Sequence, residues 1–174
     1  MELIFRELNE ADASAYQALR LKALQDTPHA FTRSYDDECV LSDQDFEHHL
    51  IATDARFTLG VFDGKGLIAS VYFFRLPLLQ RRHLGEITDL YVEPSYRSEE
   101  IGTDLINDCL VRAADMAYLT FINATCSSDS SHALRLFEKV GFEVWGVETN
   151  ALQVDGKYVT QLHMRKQLHD EAQD

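Results

Sequence analysis

The order of apolar segments predicts an α/β fold, a mixed and mostly antiparallel sheet with helices on both faces. Three observations lead to it. Several short apolar runs have the length and turn-flanked look of strands, and two pairs of them flank glycine turns, Asp63-Gly64-Lys65-Gly66 and Asp155-Gly156. Other segments carry apolar residues at helical spacing. One strand, residues 84–93, passes through a short turn into a helix, with an Arg-x-x-x-x-Gly element at the join, Arg97 to Gly102. The resulting order is β-α-α-β-β-β-α-β-α-β-β.

Residues 2–7 alternate and make the first strand. Asn9 and Asp12 suit a helix start. Ala15, Tyr16, Leu19 and Ala23 recur at helical spacing, and Pro28 forces an end near Gln25. Residues 27–38, TPHAFTRSYDDE, have no clear period and read as a loop. Ser42 with Asp45 caps a second helix that turns Phe46 and Leu50 inward. Apolar runs over 56–62 and 67–75 form the first hairpin, and Pro77 with Arg81-Arg82 marks a loop before strand 84–93. Ile101, Leu105, Cys109 and Ala113 place an amphipathic helix over 101–117. Residues 118–124 read as a buried strand and 127–131 as a capping loop. Leu134, Phe137 and Val140 lie on a helix ended by Gly141. Residues 142–152 and 158–166 form the closing hairpin, and 169–174, HDEAQD with its first histidine, is a frayed tail. With no repeat and no low-complexity linker, residues 1–174 read as a single domain.

A formal net charge of −13 argues against a general nucleic-acid binder, which presents a basic face. Cys39, Cys109 and Cys126 are widely spaced and form no C-x-x-C pair, so neither a disulfide framework nor a zinc site is signalled. Seven histidines include the adjacent His48-His49 but no H-x-x-x-H or H-E-x-x-H, and no metal is expected. MELIFRELNE has no basic n-region, and no stretch of apolar residues has membrane-spanning length. A cytoplasmic setting without a membrane partner is the expectation.

The strand–turn–helix join is a natural seat for a phosphate-bearing ligand, because a helix N-terminus presents unpaired N–H groups and a partial positive charge. Glu99 and Glu100 stand where the anion would sit. Two readings stay open for them: an internal mimic that fills the site, or an outward pair that leaves the backbone free to bind.

EITDLYVEPSYRSEEIGTDLI resembles the acetyl-CoA motif of the GCN5-related N-acetyltransferase (GNAT) superfamily, a strand ending in L-Y-V-x-P followed by R/Q-x-x-G-x-G/A. SSHALRLFEKVGFE is similar to that family's N-x-x-A-x-x-L-Y-x-x-x-G-F. TPHAFTRSYDDE and VDGKYVTQLHM resemble a bacterial small-molecule branch more weakly. The likeness covers essentially the whole chain and implies a single-domain GNAT fold.

The resemblance implies acetyl-CoA as co-substrate, no metal, and direct attack by a primary amine of a small molecule or protein on the thioester. Leu90, Tyr91 and Val92 take the pantetheine arm as an added strand. The stretch Arg97, Ser98, Glu99, Glu100, Ile101, Gly102 and Thr103 holds the pyrophosphate through main-chain N–H groups. Ser130, Ala133 and Phe137 complete the cofactor side. Dimers are common in the family, so a homodimer is compatible with the resemblance. Glu86 is the candidate general base, by likeness to the histone acetyltransferases of the superfamily. Its alternative role is a strand residue facing solvent or pairing with an arginine such as Arg82. Strand alternation puts Asp89 on the opposite face from Glu86, so it is not chosen.

The chain departs from the pattern at three places: Glu100 replaces a glycine, Ser130 an asparagine, and Phe137 a tyrosine whose hydroxyl protonates the departing thiolate in many members. Water, Tyr91 or Tyr158 is left to supply that proton. A rival reading is therefore a non-catalytic or weakly active acyltransferase-like module, and a third is use of a different acyl donor. Asp36-Asp37-Glu38 falls in the acceptor-side loop, where it attracts a cationic amine or serves as a solvated cap. Phe31 and Tyr35 wall the acceptor pocket or, for Phe31, pack in the core. Cys126 reads as a small structural residue, since nothing near it in sequence lowers a thiol pKa.

Overall fold

The computed structural model describes residues 2–64, 66–97 and 100–168. Capping chemistry starts its first helical segments. The Asn9 side chain accepts from the Ala11 N–H at 3.0 Å while Asp12 accepts from the Asn9 N–H, and α1 follows over Ala13–Asp26. Ser34 with Asp37 and Ser42 with Asp45 form reciprocal capping boxes for α2, Tyr35–Glu38, and α3, Asp43–Leu50. The later helices are α4, Ile101–Ala114, and α5, Ser131–Lys139. The strands are β1 Ile4–Glu7, β2 Arg56–Asp63, β3 Gly66–Arg75, β4 Leu84–Val92, β5 Phe121–Ser127, β6 Glu143–Val154 and β7 Lys157–Gln167. They form one seven-stranded sheet in the order β1-β2-β3-β4-β5-β7-β6. Its pairs are antiparallel except β4–β5, which is parallel.

Helical and strand periods meet on both faces of this sheet. Ile101, Leu105, Ile106, Cys109 and Ala113 of α4 bury against Leu59, Val71, Phe73, Ile87, Ile122 and Met164. On the other face α1 and α3 bury Ala13, Tyr16, Phe46 and Leu50 with Leu8, and Leu19, Ala23 and Leu24 pack with Phe31 and Tyr91. Each large apolar side chain removed from water in this way contributes roughly 2 kcal/mol. Among the described residues no helix is long and apolar enough to cross a membrane.

Several expectations change in detail. Residues 27–38 are not a plain loop: a 3-10 turn at Pro28–Ala30 and the one-turn helix α2 lie within them, too short to show a period. The fifth strand begins at Phe121 rather than Tyr118, which adopts a positive φ of 70° in the turn before it, and the strand runs on to Ser127. The helix expected over 101–117 ends at Ala114. The tail, 169–174, lies outside the described residues.

The most consequential difference is at Asp89. Ser70 of β3 pairs with Tyr91 and Tyr72 pairs with Thr88, so β4 carries one extra residue there. Asp89 absorbs it with φ +57°. Such a bulge breaks side-chain alternation. Asp89 therefore faces α1 rather than the α4 side, on the same side of the sheet as Glu86.

Helix α1 holds the strand beyond the bulge at three points. Arg20 lies 2.9 Å from Asp89, Lys22 lies 2.7 Å from Glu93, and the Tyr91 hydroxyl donates to Asp26 at 2.5 Å. Arg20 also donates twice to Glu38 of α2, at 2.9 and 2.7 Å, and is only 6% exposed. Burial disfavours its charge, but Glu38 and Asp89 outweigh that and hold the guanidinium firmly protonated. Removing one partner of a buried ion cluster leaves uncompensated charge. Arg20→Met is expected to lower unfolding free energy by about 3 kcal/mol in urea titrations.

Candidate active site

The bulge decides where the sheet opens. β4 and β5 pair only from Leu84↔Phe121 to Ile87↔Ala124. Past that point β5 continues to pair with β7 as far as Ser127, while β4 stays with β3. The two strands diverge, and the β5-facing edge of β4 from Thr88 onward has no strand partner among the described residues. A cleft of about 70 Å³ occupies the split, lined by Ile87, Thr88, Asp89, Leu90, Thr125, Cys126, Ser127, Ser130, Ala133 and Phe137, with Ala30 and Phe31 over it. An unpaired strand edge in a narrow apolar slot is suited to an extended chain bearing amide groups.

Farther along β4 is a wider mouth, about 310 Å³, lined by Val92, Arg97, Glu100, Gly102, Thr103, His132, Arg135, Leu136 and Lys139. Glu100 is the N-cap of α4 and makes no side-chain cap bond, and the first helical acceptance is from Asp104 N–H to the Glu100 carbonyl at 3.0 Å. The N–H groups of Ile101, Gly102 and Thr103 thus have no acceptor within the helix. Gly102 is needed for closeness: a Cβ there meets Leu136 at 2.7 Å. Arg97 donates from Nε to the Val92 carbonyl at 2.9 Å, which fixes its guanidinium at the rim. Arg135, Lys139 and His132 face the same mouth from α5. This donor set fits a pyrophosphate: backbone N–H groups at a helix start, flanked by cations.

Glu100 does not fill that cradle. Its side chain is 68% exposed and pairs with Lys139, which holds its carboxyl below the usual glutamate range. It occupies the left-handed region, φ 59° and ψ 5°, a conformation that glycine adopts without strain. The outward reading of this residue is the one the geometry supports. Ser98 and Glu99 lie outside the described residues.

On the α1 side of the sheet two further cavities reach the cleft. One, about 490 Å³, is walled by Tyr16, His49, Tyr72 and Phe74 around Arg20, Glu38 and Asp89. His49 stacks on Tyr16 and receives or donates a bond with its hydroxyl at 3.1 Å, and burial lowers its pKa. The other, about 260 Å³, holds Glu86 with Arg81, Asn123, Thr125, Trp145, His163 and Arg165. Thr88 lines both and the cleft as well. Glu86 is half-buried, and burial raises its pKa against the opposing influence of Arg81 and His163.

The structure places the expected cofactor residues at two separate cavities along β4, with some changes of role. Leu90, Ser130, Ala133 and Phe137 line the narrow part, and Val92, Arg97, Glu100, Gly102 and Thr103 the mouth. The Ser130 hydroxyl accepts from the Ala133 N–H at 3.4 Å, as the N-cap of α5. The Ile101 side chain is core, so only its main chain is available. Tyr91 turns to α1, where burial and Asp26 raise its pKa, and Tyr158 is exposed on β7; neither lines the cleft. Arg82 stacks on Tyr118, and Arg81 is the arginine beside Glu86. In the acidic run, Asp37 is a cap and Glu38 is bound to Arg20. Cys126 is buried, which raises its thiol pKa.

His132, Arg135 and Lys139 were missed from sequence. Their spacing of three and then four residues, one face of a helix, was the available signal. Arg165, Trp145 and Asp89 had none, since long-range pairing and the bulge place them.

A family model described as the acetyltransferase (GNAT) family matches residues 15–142. No curated protein matches the chain. Among solved structures, a GNAT-family acetyltransferase from Streptococcus pneumoniae is similar with a TM-score of 0.87 and 20% identity, over 95% of this chain and 99% of that one. A phosphinothricin acetyltransferase from Sinorhizobium meliloti, in complex with AcCoA, has a TM-score of 0.81 and 16% identity over 96% and 89%. A ribosomal-protein-alanine N-acetyltransferase from Brucella melitensis has a TM-score of 0.76 and 20% identity over 94% and 99%. At these identities the structures speak for the fold, and their names cover different acceptors. With a family model spanning most of the sequence and a sheet that opens between β4 and β5, the chain belongs to the acetyltransferase (GNAT) family.

Proposed function

We propose that this protein is an acetyl-CoA-dependent N-acetyltransferase that acylates a primary amine by direct attack. The observation that carries the reading is the split of β4 from β5, which leaves a cleft at Thr88–Leu90 on the strand that leads to a helix-N-terminal cation cradle. The crystal of the Sinorhizobium meliloti relative with AcCoA supports the choice of donor.

In this reading Ile101, Gly102 and Thr103 bind the pyrophosphate through main-chain N–H groups, with Arg97, Arg135 and Lys139 around it. The free edge of β4 at Leu90–Val92 receives the pantetheine amides. Acetyl-CoA supplies an activated acyl carbon at the Thr88 end of the slot. The acceptor enters from the α1 face, its nitrogen forms the C–N bond, and the C–S bond breaks. One proton leaves the nitrogen and one reaches the sulfur. Glu86 takes the first, directly or through water. Phe137 has none to give, and among the described residues no tyrosine lines the slot, so solvent delivers the second.

A raised pKa means that Glu86 keeps its proton to a higher pH than an ordinary glutamate, so its base form is lost earlier as pH falls. The acid limb of kcat/KM is expected to break above the ordinary glutamate range. Glu86→Gln is expected to lower kcat by about a hundredfold and to abolish that break, with acetyl-CoA affinity unchanged. A break that persists in Glu86→Gln assigns the base elsewhere.

Calorimetric titration with acetyl-CoA tests the reading as a whole: saturable binding is expected, and no heat at millimolar ligand overturns it. Glu100→Gly frees Lys139 and relieves the left-handed backbone. It is expected to tighten acetyl-CoA by about fivefold in the same titration. Wild-type binding without turnover of any amine favours the second reading, a non-catalytic module, for which Phe137 is the motivating observation.

A further inference from the structure

The cavity of about 260 Å³ around Glu86 contains more charge than a general base requires. Arg165 and Arg81 both line it; among the described residues neither forms a contact ion pair with a carboxylate, although Arg81 acts on Glu86 across the cavity. Arg165 is nonetheless fixed. Its Nε donates to the Asn123 side chain at 2.8 Å, and its guanidinium lies over the rings of Trp145 and Phe121, at 5.2 and 5.4 Å from their centroids. One Arg nitrogen is thus used for positioning, and the terminal nitrogens are left to donate. A guanidinium held in this way presents a planar fork that matches a carboxylate. The neighbouring histidine is not available for the task, because His163 is committed to Glu148 at 2.8 Å.

The same cavity shares Ile87, Thr88 and Thr125 with the slot between β4 and β5. A molecule seated in it can therefore present an amine to the slot and an anion to the arginines. Its size, below the roughly 300–1,000 Å³ of drug-sized pockets, suits a short zwitterion better than an extended chain. Glu86 answers the ammonium of the arriving acceptor, and the two arginines answer the anion.

We propose that the acceptor is a free amino acid or a close relative, an amine with a carboxylate on the adjoining carbon, and that Arg165, aided by Arg81, binds that carboxylate. The proposal rests on the acyltransferase reading and names its substrate class. It sets this protein apart from enzymes acting on protein N-termini, where an amide stands in place of the carboxylate and leaves the arginines without a counter-charge. Asp and Glu outnumber Lys and Arg by 29 to 16 in the chain, so two arginines lining one cavity are a local exception to its net charge.

The test is calorimetric binding to the protein held with CoA, which precludes turnover. L-methionine, L-phenylalanine and L-tyrosine are compared with their amides and with the amines left by removing the carboxyl group. At least one amino acid is expected to bind about tenfold tighter than both of its neutral-ended partners. Arg165→Gln is expected to erase that preference, Arg165→Lys to restore part of it, and Arg81→Gln, an exposed loop change that cannot unfold the sheet, to weaken it. Amides or amines that bind as well as the acids overturn the proposal, as does a preference untouched in both Arg165→Gln and Arg81→Gln, or no binding by any member of the panel. A separate CoA titration keeps the two readings apart: failure of CoA to bind counts against the acyltransferase, while CoA binding without a carboxylate preference counts only against the substrate class.

Discussion

The sheet can open only because something other than β5 holds β4. From Thr88 onward β4 loses its parallel neighbour, and a strand with one free edge and a bulge in it is prone to shift register. Helix α1 answers this with polar ties at Asp89, Tyr91 and Glu93. The tie at Asp89 is the buried one. Arg20 spans α1, α2 and the bulge at once, so the helical layer and the opening of the sheet are set by a single guanidinium. Buried ion pairs of this kind contribute little net stability over an apolar packing, because desolvation offsets their attraction. What this one fixes is geometry: Asp89 cannot return to regular strand conformation without leaving its partner.

The consequences run along the slot in both directions. Toward α4, the freed strand edge leads to a helix start whose N–H groups face a cluster of cations. The chain as a whole is strongly acidic, yet this mouth holds Arg97, Arg135 and Lys139 against one described carboxylate, Glu100. The local field, and not net charge, governs what an anion meets there. Toward α1, the two cavities that share residues with the cleft both border Thr88, the residue just before the bulge. The same distortion that removes β5 from β4 therefore places the cleft next to the cavities of the α1 face.

Much of the architecture could be read from local chemistry. Ser42 with Asp45 and Asn9 with Asp12 form the caps that their spacing implies, and Ile101, Leu105, Cys109 and Ala113 all bury on one face of α4. The glycine turns close the hairpins where the composition places them. Leu90 and Phe137 line the narrow cleft, and Val92, Gly102 and Thr103 line the mouth farther along β4. Tyr91 and Ile101 sit on the motif but turn their side chains into the core, because strand and helix periods apply inside a motif as they do outside it.

Sequence alone determined the elements, their order and the strand–turn–helix join, since capping, glycine turns and apolar period act over a few residues. The motif resemblance also singled out Glu86 as a candidate base and Glu100 as a departure from the glycine pattern. Tertiary structure decided the rest. Asp89 changed face because an extra residue in β4 has to be absorbed against β3, a fact of register that alternation in one strand does not contain. Glu100 turned outward because Lys139 of α5 stands beside it, and Arg165 reached the Glu86 cavity because β7 pairs with β5. Each of these depends on a contact between elements far apart in the chain, and such contacts follow from how the layers pack.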